Sequence, residues 1–181
     1  LEYLQYPLWS MEPYFDGTEY PFWQAVENWG LSQIIAATNW FPTLETVHII
    51  FATLLLGSLL WVDLRLLGVG ATAYPISALH RDMLWWAWGA FAVASVTGLG
   101  MFITRASSHI ENPAFIAKGI LLALAGVNMA WFQWRLSPRF LTAAEWNEAA
   151  ATPAELKLAG GSSLLFWCGV MLAGRWVGHI V

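Results

Sequence analysis

The chain has 181 residues, of which 58% are hydrophobic and only 11% are charged. Soluble domains carry about 45–50% apolar and about 25% charged residues, so this composition excludes an ordinary soluble enzyme and also a disordered chain. Eight basic and twelve acidic side chains give a net charge of −4, which is unfavourable for a nucleic-acid partner. The single cysteine, Cys168, excludes an intrachain disulfide and a multi-cysteine metal site. A one-domain, all-α, polytopic membrane protein is what remains.

The first 42 residues contain acidic side chains and prolines but no Lys or Arg. Residues 1–20 are predicted to form an extended arm rich in aromatic side chains. Residues 22–29 and 31–38 are predicted to form two short amphipathic helices that change phase at Gly30 and lie in the membrane interface. A fifth span is the rival interpretation, but the stretch is too short and contains Glu27, Asn28, Gln33 and Asn39. No signal peptide is visible at the start, which has neither an initiator Met nor a basic segment.

Four stretches have the length and apolar character of transmembrane helices, which need about 20 mostly apolar residues. The predicted spans are Thr43–Val69, Met83–Thr104, Ala114–Trp134 and Leu156–Ile180. Their apolar runs are continuous, whereas barrel strands alternate. The links at 70–82, 105–113 and 135–155 are short, and the last is predicted to hold a surface helix between Pro138 and Pro153. Short links favour an antiparallel four-helix bundle over residues 43–181, with residues 1–42 as a separate periplasmic segment.

Basic residues are divided unequally between the two ends of the predicted spans. One side carries Arg65, Arg81, Arg135, Arg139 and Lys157. The other side carries Arg105, with Lys118 and Arg175 inside the nearby span ends. Because the more basic side of a bacterial inner-membrane protein faces the cytoplasm, both termini are predicted to lie in the periplasm.

Ionisable side chains inside a span are costly in lipid, so they are the first candidates for function. The predicted antiparallel order brings one set of residues to a common depth near the periplasmic face: His48, Met101, Lys118 and Arg175. Glu45 lies one turn before His48, and His179 lies one turn after Arg175. The link after the second span adds His109, Glu111 and Asn112 to the same side of the membrane.

A haem b iron can be bound from both faces by two imidazoles at one depth. His48 is the predicted axial ligand, and Glu45 is the predicted acceptor that orients its ring. His109 or His179 would lie opposite, with Met101 as an alternative ligand. The competing interpretation is structural, with His48 bonded to Glu45 at the interface and the other two histidines in solvent.

The predicted role of Lys118 and Arg175 is to neutralise the haem propionates. The same cations could instead hold a quinone carbonyl or an anionic headgroup. In the structural alternative, both side chains extend to the lipid headgroups without binding a specific ligand.

The cytoplasmic ends of the first two spans hold Asp63, Arg65, His80, Arg81 and Asp82. An ion-pair ring that joins the span ends is favoured here, with proton uptake through Asp63 and His80 as the alternative. Asn128 and Gln133 are predicted to form hydrogen bonds to neighbouring helices. Small residues could permit close helix approach, but generic packing is expected of them: Gly119, Ala123, Gly126, Gly174 and Gly178. The mid-span thiol of Cys168 is expected to be inert.

No complete catalytic motif is present: the sequence lacks H-E-x-x-H, G-x-S-x-G and a P-loop. No inverted repeat or clearly broken helix indicates a transport path. No catalytic activity of its own is therefore expected for this protein.

Several motifs resemble a family of small bacterial inner-membrane proteins known as a domain of unknown function. The most specific are Trp40-Phe-Pro-Thr-Leu-Glu-Thr-Val-His48 and Asp63-Leu-Arg-Leu-Leu-Gly68, and matches continue at Gly57, Thr97-Gly98, Asn112-Pro-Ala-Phe-x-x-Lys118, Ala125-Gly-Val-Asn128 and Gly174-Arg-Trp176. The resemblance runs from about Trp23 to Val181 and implies a four-span helical protein with a short N-terminal amphipathic region and no assigned activity. The architecture also resembles, at the level of fold, the cytochrome b-type membrane anchors that pass electrons between a peripheral dehydrogenase and quinone.

Three functions are compatible with these features. The favoured one is an accessory subunit of a larger membrane complex, which docks through its N-terminal arm because residues 1–20 are extra to the resemblance. The second is an electron-transfer subunit that holds haem b or quinone in its periplasmic half and meets a periplasmic redox partner. The third is a lipid- or small-anion-binding membrane protein that uses Lys118 and Arg175.

Overall fold

The computed structural model describes residues 21–140 and 152–179, which form helices and no strands. Two short helices come first, α1 (Pro21–Glu27) and α2 (Gly30–Ala37). The long helices are α3 (Trp40–Leu67), α4 (Ile76–Phe102), α6 (Pro113–Trp131) and α8 (Ala154–Trp176). Short helical pieces continue α4 and α6: a 3-10 turn at Ile103–Arg105 leads to α5 (Ala106–Glu111), and a π-helical turn at Phe132–Leu136 leads to α7 (Ser137–Phe140).

Four helical stretches are long and apolar enough to cross a membrane: Trp40–Leu67, Ile76–Glu111, Pro113–Arg139 and Ala154–Trp176. The four predicted spans are therefore confirmed in number and approximate position. The predicted arm, residues 1–20, lies outside the described residues. So does most of the predicted surface helix between Pro138 and Pro153, at residues 141–151.

The predicted links were wrong in two places, where the chain is helical. The second span begins at Ile76 rather than Met83, directly after Pro75, whose fixed φ is compatible with a helix start. The predicted link at 105–113 is mostly α5, and the break falls at Asn112. The Asn112 side chain caps α6 by accepting from the backbone N–H groups of Ala114 at 2.9 Å and Phe115 at 3.3 Å.

Helix α3 packs against both α4 and α8, and α8 packs against α6. The start of α3 lies beside the second half of α4, since His48 of α3 contacts Ala94 of α4. One apolar cluster joins the other end of α3 to its neighbours: Val62, Leu66, Ile76, Phe132, Leu136, Leu156 and Ala159. A smaller cluster lies further along the bundle: Leu55, Ala87 and Ala90.

The short helices α1 and α2 dock on the end of the second span. The backbone N–H of Ser107 donates to Glu27 Oε1 at 2.7 Å, and Ser32 Oγ donates to the carbonyl oxygen of Ile103 at 2.8 Å. The rings of Trp23 and Phe102 meet edge to face with centroids 5.6 Å apart. Two hydrogen bonds and an aromatic contact therefore fix this segment against the rest of the protein.

Candidate functional site

A cavity of about 370 Å³ lies between the four long helices, within the size range of small-molecule sites, about 300–1,000 Å³. Its wall is mostly apolar, with contributions from Leu55, Leu59, Val62, Leu66, Met83, Leu84, Ala87, Trp88, Phe91, Leu122, Ala125, Gly126, Met129, Phe132, Ala159 and Trp167. The polar lining side chains are Ser58, Asp63, His80, Ser95, Asn128 and Ser163. An apolar chamber with a few polar groups is typical of a binding site for a small organic molecule.

The carboxyl group of Asp63 is the most unusual feature of this wall. Asp63 is only 4% exposed, and Ser163 of α8 lies near its carboxyl group in the wall of the cavity. The second oxygen, Oδ2, is buried and has no hydrogen-bond partner among the described residues. A buried acceptor without a donor costs about 1–3 kcal/mol, so a bound molecule that supplies a donor would be stabilised here.

Close helix packing sets the position of Asp63. A Cβ atom at Gly160 of α8 would lie 2.9 Å from Leu66 Cβ and 3.0 Å from the backbone oxygen of Asp63. Only glycine fits at this distance, so α8 approaches the backbone of α3 directly. This contact brings Ser163, one turn after Gly160, to the Asp63 carboxyl group.

His80 lines the same end of the cavity from α4. Its ring is buried against Phe132, with centroids 5.1 Å apart, and the side chain of Gln133 lies near it. The predicted bond from Asn128 to a neighbouring helix is confirmed, since its Nδ2 donates to the carbonyl oxygen of Ala159 at 3.0 Å. The corresponding bond from Gln133 stays a prediction.

The predicted ion-pair ring at this end was wrong. Arg65 Nε donates to the backbone oxygen of Tyr74 at 2.8 Å, and Arg81 meets its own neighbour, Asp82, at 3.3 Å on the surface. No ion pair joins α3 to α4 within residues 21–140. Asp63 instead lines the cavity, with Ser163 of α8 nearby.

His48 is held against α4 in the opposite half of the bundle. Its Nδ1 lies 2.8 Å from the carbonyl oxygen of Ala94 and 3.2 Å from Thr97 Oγ1. Because a carbonyl oxygen can only accept, Nδ1 carries the proton and donates it. Nε2 has no hydrogen bond to the described residues. Gly98 allows this contact, since a Cβ atom there would lie 3.1 Å from His48 Cε1.

Lys118 is the second predicted site residue in this half. It lies in the same half of the bundle as His48, on whose imidazole its charge acts. Its ammonium group lies against Gly174 of α8, where a Cβ atom would be 3.6 Å from Nζ. Glu45 is exposed on α3 and is not the acceptor for His48 Nδ1, a role taken by a backbone carbonyl group.

The remaining predicted site residues lie around this half without joining His48 by a described contact. His109 Nδ1 donates to the backbone oxygen of Arg105 at 2.6 Å, and its ring contacts Phe102 and Phe115. His179 is exposed, bonds the backbone oxygen of Arg175 and contacts Trp176. Met101 is half-buried in α4, and the Arg175 side chain is exposed. Ligation by any of these residues stays a prediction.

Sequence reasoning assigned no structural role to Ser163, Thr97, Gly98 or Gly160, although Thr97-Gly98 is one of the matches to the family. Each is a small or hydroxyl-bearing residue inside a span, and such residues are enriched where membrane helices touch. Residues 159–163 read Ala-Gly-Gly-Ser-Ser, which is the one local signal that could have indicated the α3–α8 contact. Cys168 is exposed on α8.

Four apolar helices of spanning length, joined around a cavity with a buried carboxyl group, define a multi-pass helical membrane protein. The chain belongs to the family of unknown function DUF6644, whose family model matches residues 35–180. The predicted membership of a family of unknown function is thereby confirmed. No curated protein and no solved structure matches the chain.

Proposed function

We propose that this protein binds a small, mostly apolar molecule between its transmembrane helices and holds the polar group of that molecule at Asp63. The observation that carries the proposal is the buried Oδ2 atom of Asp63, which has no donor among the described residues and lies in the wall of a 370 Å³ cavity. Lipid surrounds the bundle, so an apolar ligand can reach the cavity from the membrane.

The wall indicates the kind of molecule. Phe91 meets Trp88 and Trp167 edge to face, with centroids 6.1 Å and 6.3 Å apart, so the cavity offers aromatic surfaces to a planar ring. Asp63 Oδ2 accepts a hydrogen bond and therefore favours a ligand with a hydroxyl or amino group. A quinol has both a planar ring and hydroxyl groups. The electron-transfer function, in which the protein holds quinone, therefore stays part of the proposal.

A cavity-filling substitution tests this proposal. Ser58 lines the cavity and bonds only the backbone oxygen of Leu54 in its own helix, so Ser58→Leu removes space without removing a contact between helices. The matched control is Thr53→Leu. Thr53 bonds the backbone oxygen of Ile49 in the same way but is exposed on the outside of α3. The measurement is mass spectrometry of small molecules extracted from each purified protein.

We expect one apolar compound to be retained by the wild type and by Thr53→Leu and to be lost from Ser58→Leu. The same compound should be reduced in Asp63→Asn, because the amide changes the hydrogen bond at Oδ2. Identical extracts from all four proteins would contradict the proposal, since a cavity filled by water alone gives that result. An absorption spectrum of the same samples reports haem through its Soret band and so tests the haem alternative.

The membrane topology is the second part of the proposal. The spans run antiparallel in a bacterial inner membrane, with both termini in the periplasm and with α1 and α2 in the interface. The unequal distribution of basic residues supports this orientation. In a Cys168→Ser background, an impermeant maleimide should label Ser108→Cys in intact cells and Thr72→Cys only after permeabilisation. The reverse pattern would invert the orientation.

The third part is association with other membrane subunits through residues 1–20. The aromatic and acidic composition of this arm, which precedes the region matched by the family model, supports the proposal. Deletion of residues 1–20 should release the partner proteins that co-purify with the full chain. Unchanged co-purification would contradict it.

A further inference from the structure

We propose that the other half of the bundle carries a separate site, in which Lys118 holds an oxyanion such as a phosphate group on the side of the bundle that contains His48. This site does not depend on the cavity beside Asp63. It is built from different residues on the same four helices, and its ligand has the opposite chemistry: an acceptor-rich anion instead of a donor-bearing apolar molecule.

Lys118 provides the first observation. It is half-buried in α6, and no hydrogen bond or ion pair joins it to residues 21–140 or 152–179. An ammonium group inside a span is costly unless it meets an acceptor. Its Nζ lies against α8 at Gly174, where the missing side chain leaves space beside the charge.

His48 provides the second observation. Its Nδ1 is bound to α4 through the carbonyl oxygen of Ala94 at 2.8 Å, which fixes the orientation of the ring. Nε2 is the nitrogen left for a ligand. It donates to an oxyanion when the ring is protonated, and it accepts from a hydroxyl group of the anion when the ring is neutral. The charge of Lys118 acts on the imidazole of His48, which places the two side chains in the same half of the bundle.

Lys118 and the neighbouring Gly174 lie near the ends of their helices, where a lysine side chain can extend to the lipid phosphates. Lys118 is five residues after Pro113, the start of α6, which is about 7.5 Å along a helix. Gly174 is two residues before Trp176, the end of α8, which is about 3 Å along a helix. The exposed Arg175 follows Gly174 and adds positive charge at the rim. A lipid phosphate and a free phosphate ion share the required chemistry, and the experiment separates them.

The test uses the full chain in two environments. In nanodiscs of phosphatidylcholine with phosphatidylglycerol, native mass spectrometry measures how much phosphatidylglycerol stays bound. In a non-ionic detergent without lipid, the thermal shift on adding inorganic phosphate measures binding of the free ion. Lys118→Met removes the charge and keeps the length of the side chain. The control is Lys157→Met, which removes an exposed lysine near the start of α8.

We expect Lys118→Met to weaken binding about tenfold in one of the two environments, as loss of a charge-assisted hydrogen bond does, while Lys157→Met has no effect. The environment that shows the difference identifies the source of the anion. Gly174→Val leaves Lys118 in place but fills the space beside Nζ, so it should weaken binding in the same environment. This second variant tests the proposal if Lys118→Met fails to fold. Equal binding by wild type, Lys118→Met and Gly174→Val, or no binding in either environment, would overturn the proposal.

Discussion

The two halves of the bundle hold their polar groups in different ways. In the half that contains Asp63, helices α3 and α8 touch backbone to backbone at Gly160, yet a cavity of about 370 Å³ remains beside the contact. In the half that contains His48, the imidazole itself fills the space between α3 and α4 and bonds a backbone carbonyl group. Among the residues that the structure describes, the first arrangement leaves the Asp63 Oδ2 acceptor without a hydrogen-bond partner, and the second leaves His48 Nε2 and the Lys118 ammonium group without one.

This difference shows how the positions of glycine residues determine where a polar side chain fits between the helices and which groups it contacts. Gly160 removes a side chain so that two backbones meet, and the carboxyl group of Asp63 is directed to the cavity beside them. Gly98 removes a side chain so that the carbonyl oxygen of Ala94 is reachable, and His48 occupies the space. Substitutions at the two glycines therefore test the two halves separately.

The largest effect is expected from Gly160→Ala. The new Cβ atom would lie 2.9 Å from Leu66 Cβ and 3.0 Å from the backbone oxygen of Asp63, and neither neighbour is the flexible end of a side chain. Helices α3 and α8 must separate, which lowers the free energy of unfolding by about 1–3 kcal/mol, as other overpacked cores show. Unfolding in a detergent titration, followed by circular dichroism, measures this change.

The matched control for that substitution is Gly119→Ala. A Cβ atom at Gly119 has no neighbour within 4 Å, so the change should leave stability unaltered or increase it by up to about 1 kcal/mol through helix propensity. If the two variants unfold at the same detergent concentration, α3 and α8 are not in backbone contact and the contrast between the two halves disappears.

A smaller effect is expected from Gly98→Ala in the other half. Its Cβ atom would lie 3.1 Å from His48 Cε1, and the imidazole ring can move by a few tenths of an ångström. The free energy of unfolding should fall by about 1 kcal/mol, because the hydrogen bond from His48 to the carbonyl oxygen of Ala94 is weakened. This loss should disappear when His48 is also replaced by Ala. The double-mutant cycle between positions 98 and 48 measures this coupling. Additive effects of the two substitutions would mean that Gly98 stabilises the protein without making room for His48.

The sequence was sufficient to predict the four spans, because continuous apolar runs of spanning length have few alternatives in lipid. It was not sufficient for the partner of His48. Glu45 was expected from its spacing of one helical turn, but the acceptor is the backbone carbonyl group of Ala94. Every residue has a carbonyl group, so only the missing side chain at Gly98 could have indicated which one is accessible.

The cavity could not be predicted from sequence either. Asp63 and Ser163 are distant in sequence, and they meet because Gly160 permits close contact between α3 and α8. Nothing in the sequence distinguishes Gly160 from the small residues at 119, 123, 126, 174 and 178. Yet Gly119, Gly126 and Gly178 have no neighbour within 4 Å of a Cβ built on them. The pairing of faces depends on long-range packing, which no local pattern specifies.

The smallest effect on stability is expected where α6 meets α8. Gly119 and Gly126 of α6 make no close contact there. Asn128 Nδ2 donates to the carbonyl oxygen of Ala159 at 3.0 Å, and Ser162 Oγ donates to Asn128 Oδ1 at 3.0 Å. Asn128→Leu should lower the free energy of unfolding by about 0.6 kcal/mol, the average for a hydrogen bond between membrane helices. Ser162→Ala should cost less, because Ser162 Oγ also bonds the backbone oxygen of Leu158 in its own helix.

The effects of Asn128→Leu and Ser162→Ala on the free energy of unfolding should not add, since the two substitutions remove one shared contact. Full additivity would mean that the hydrogen bond between Ser162 and Asn128 does not stabilise the protein, and that Asn128 joins α6 to α8 only through the carbonyl oxygen of Ala159.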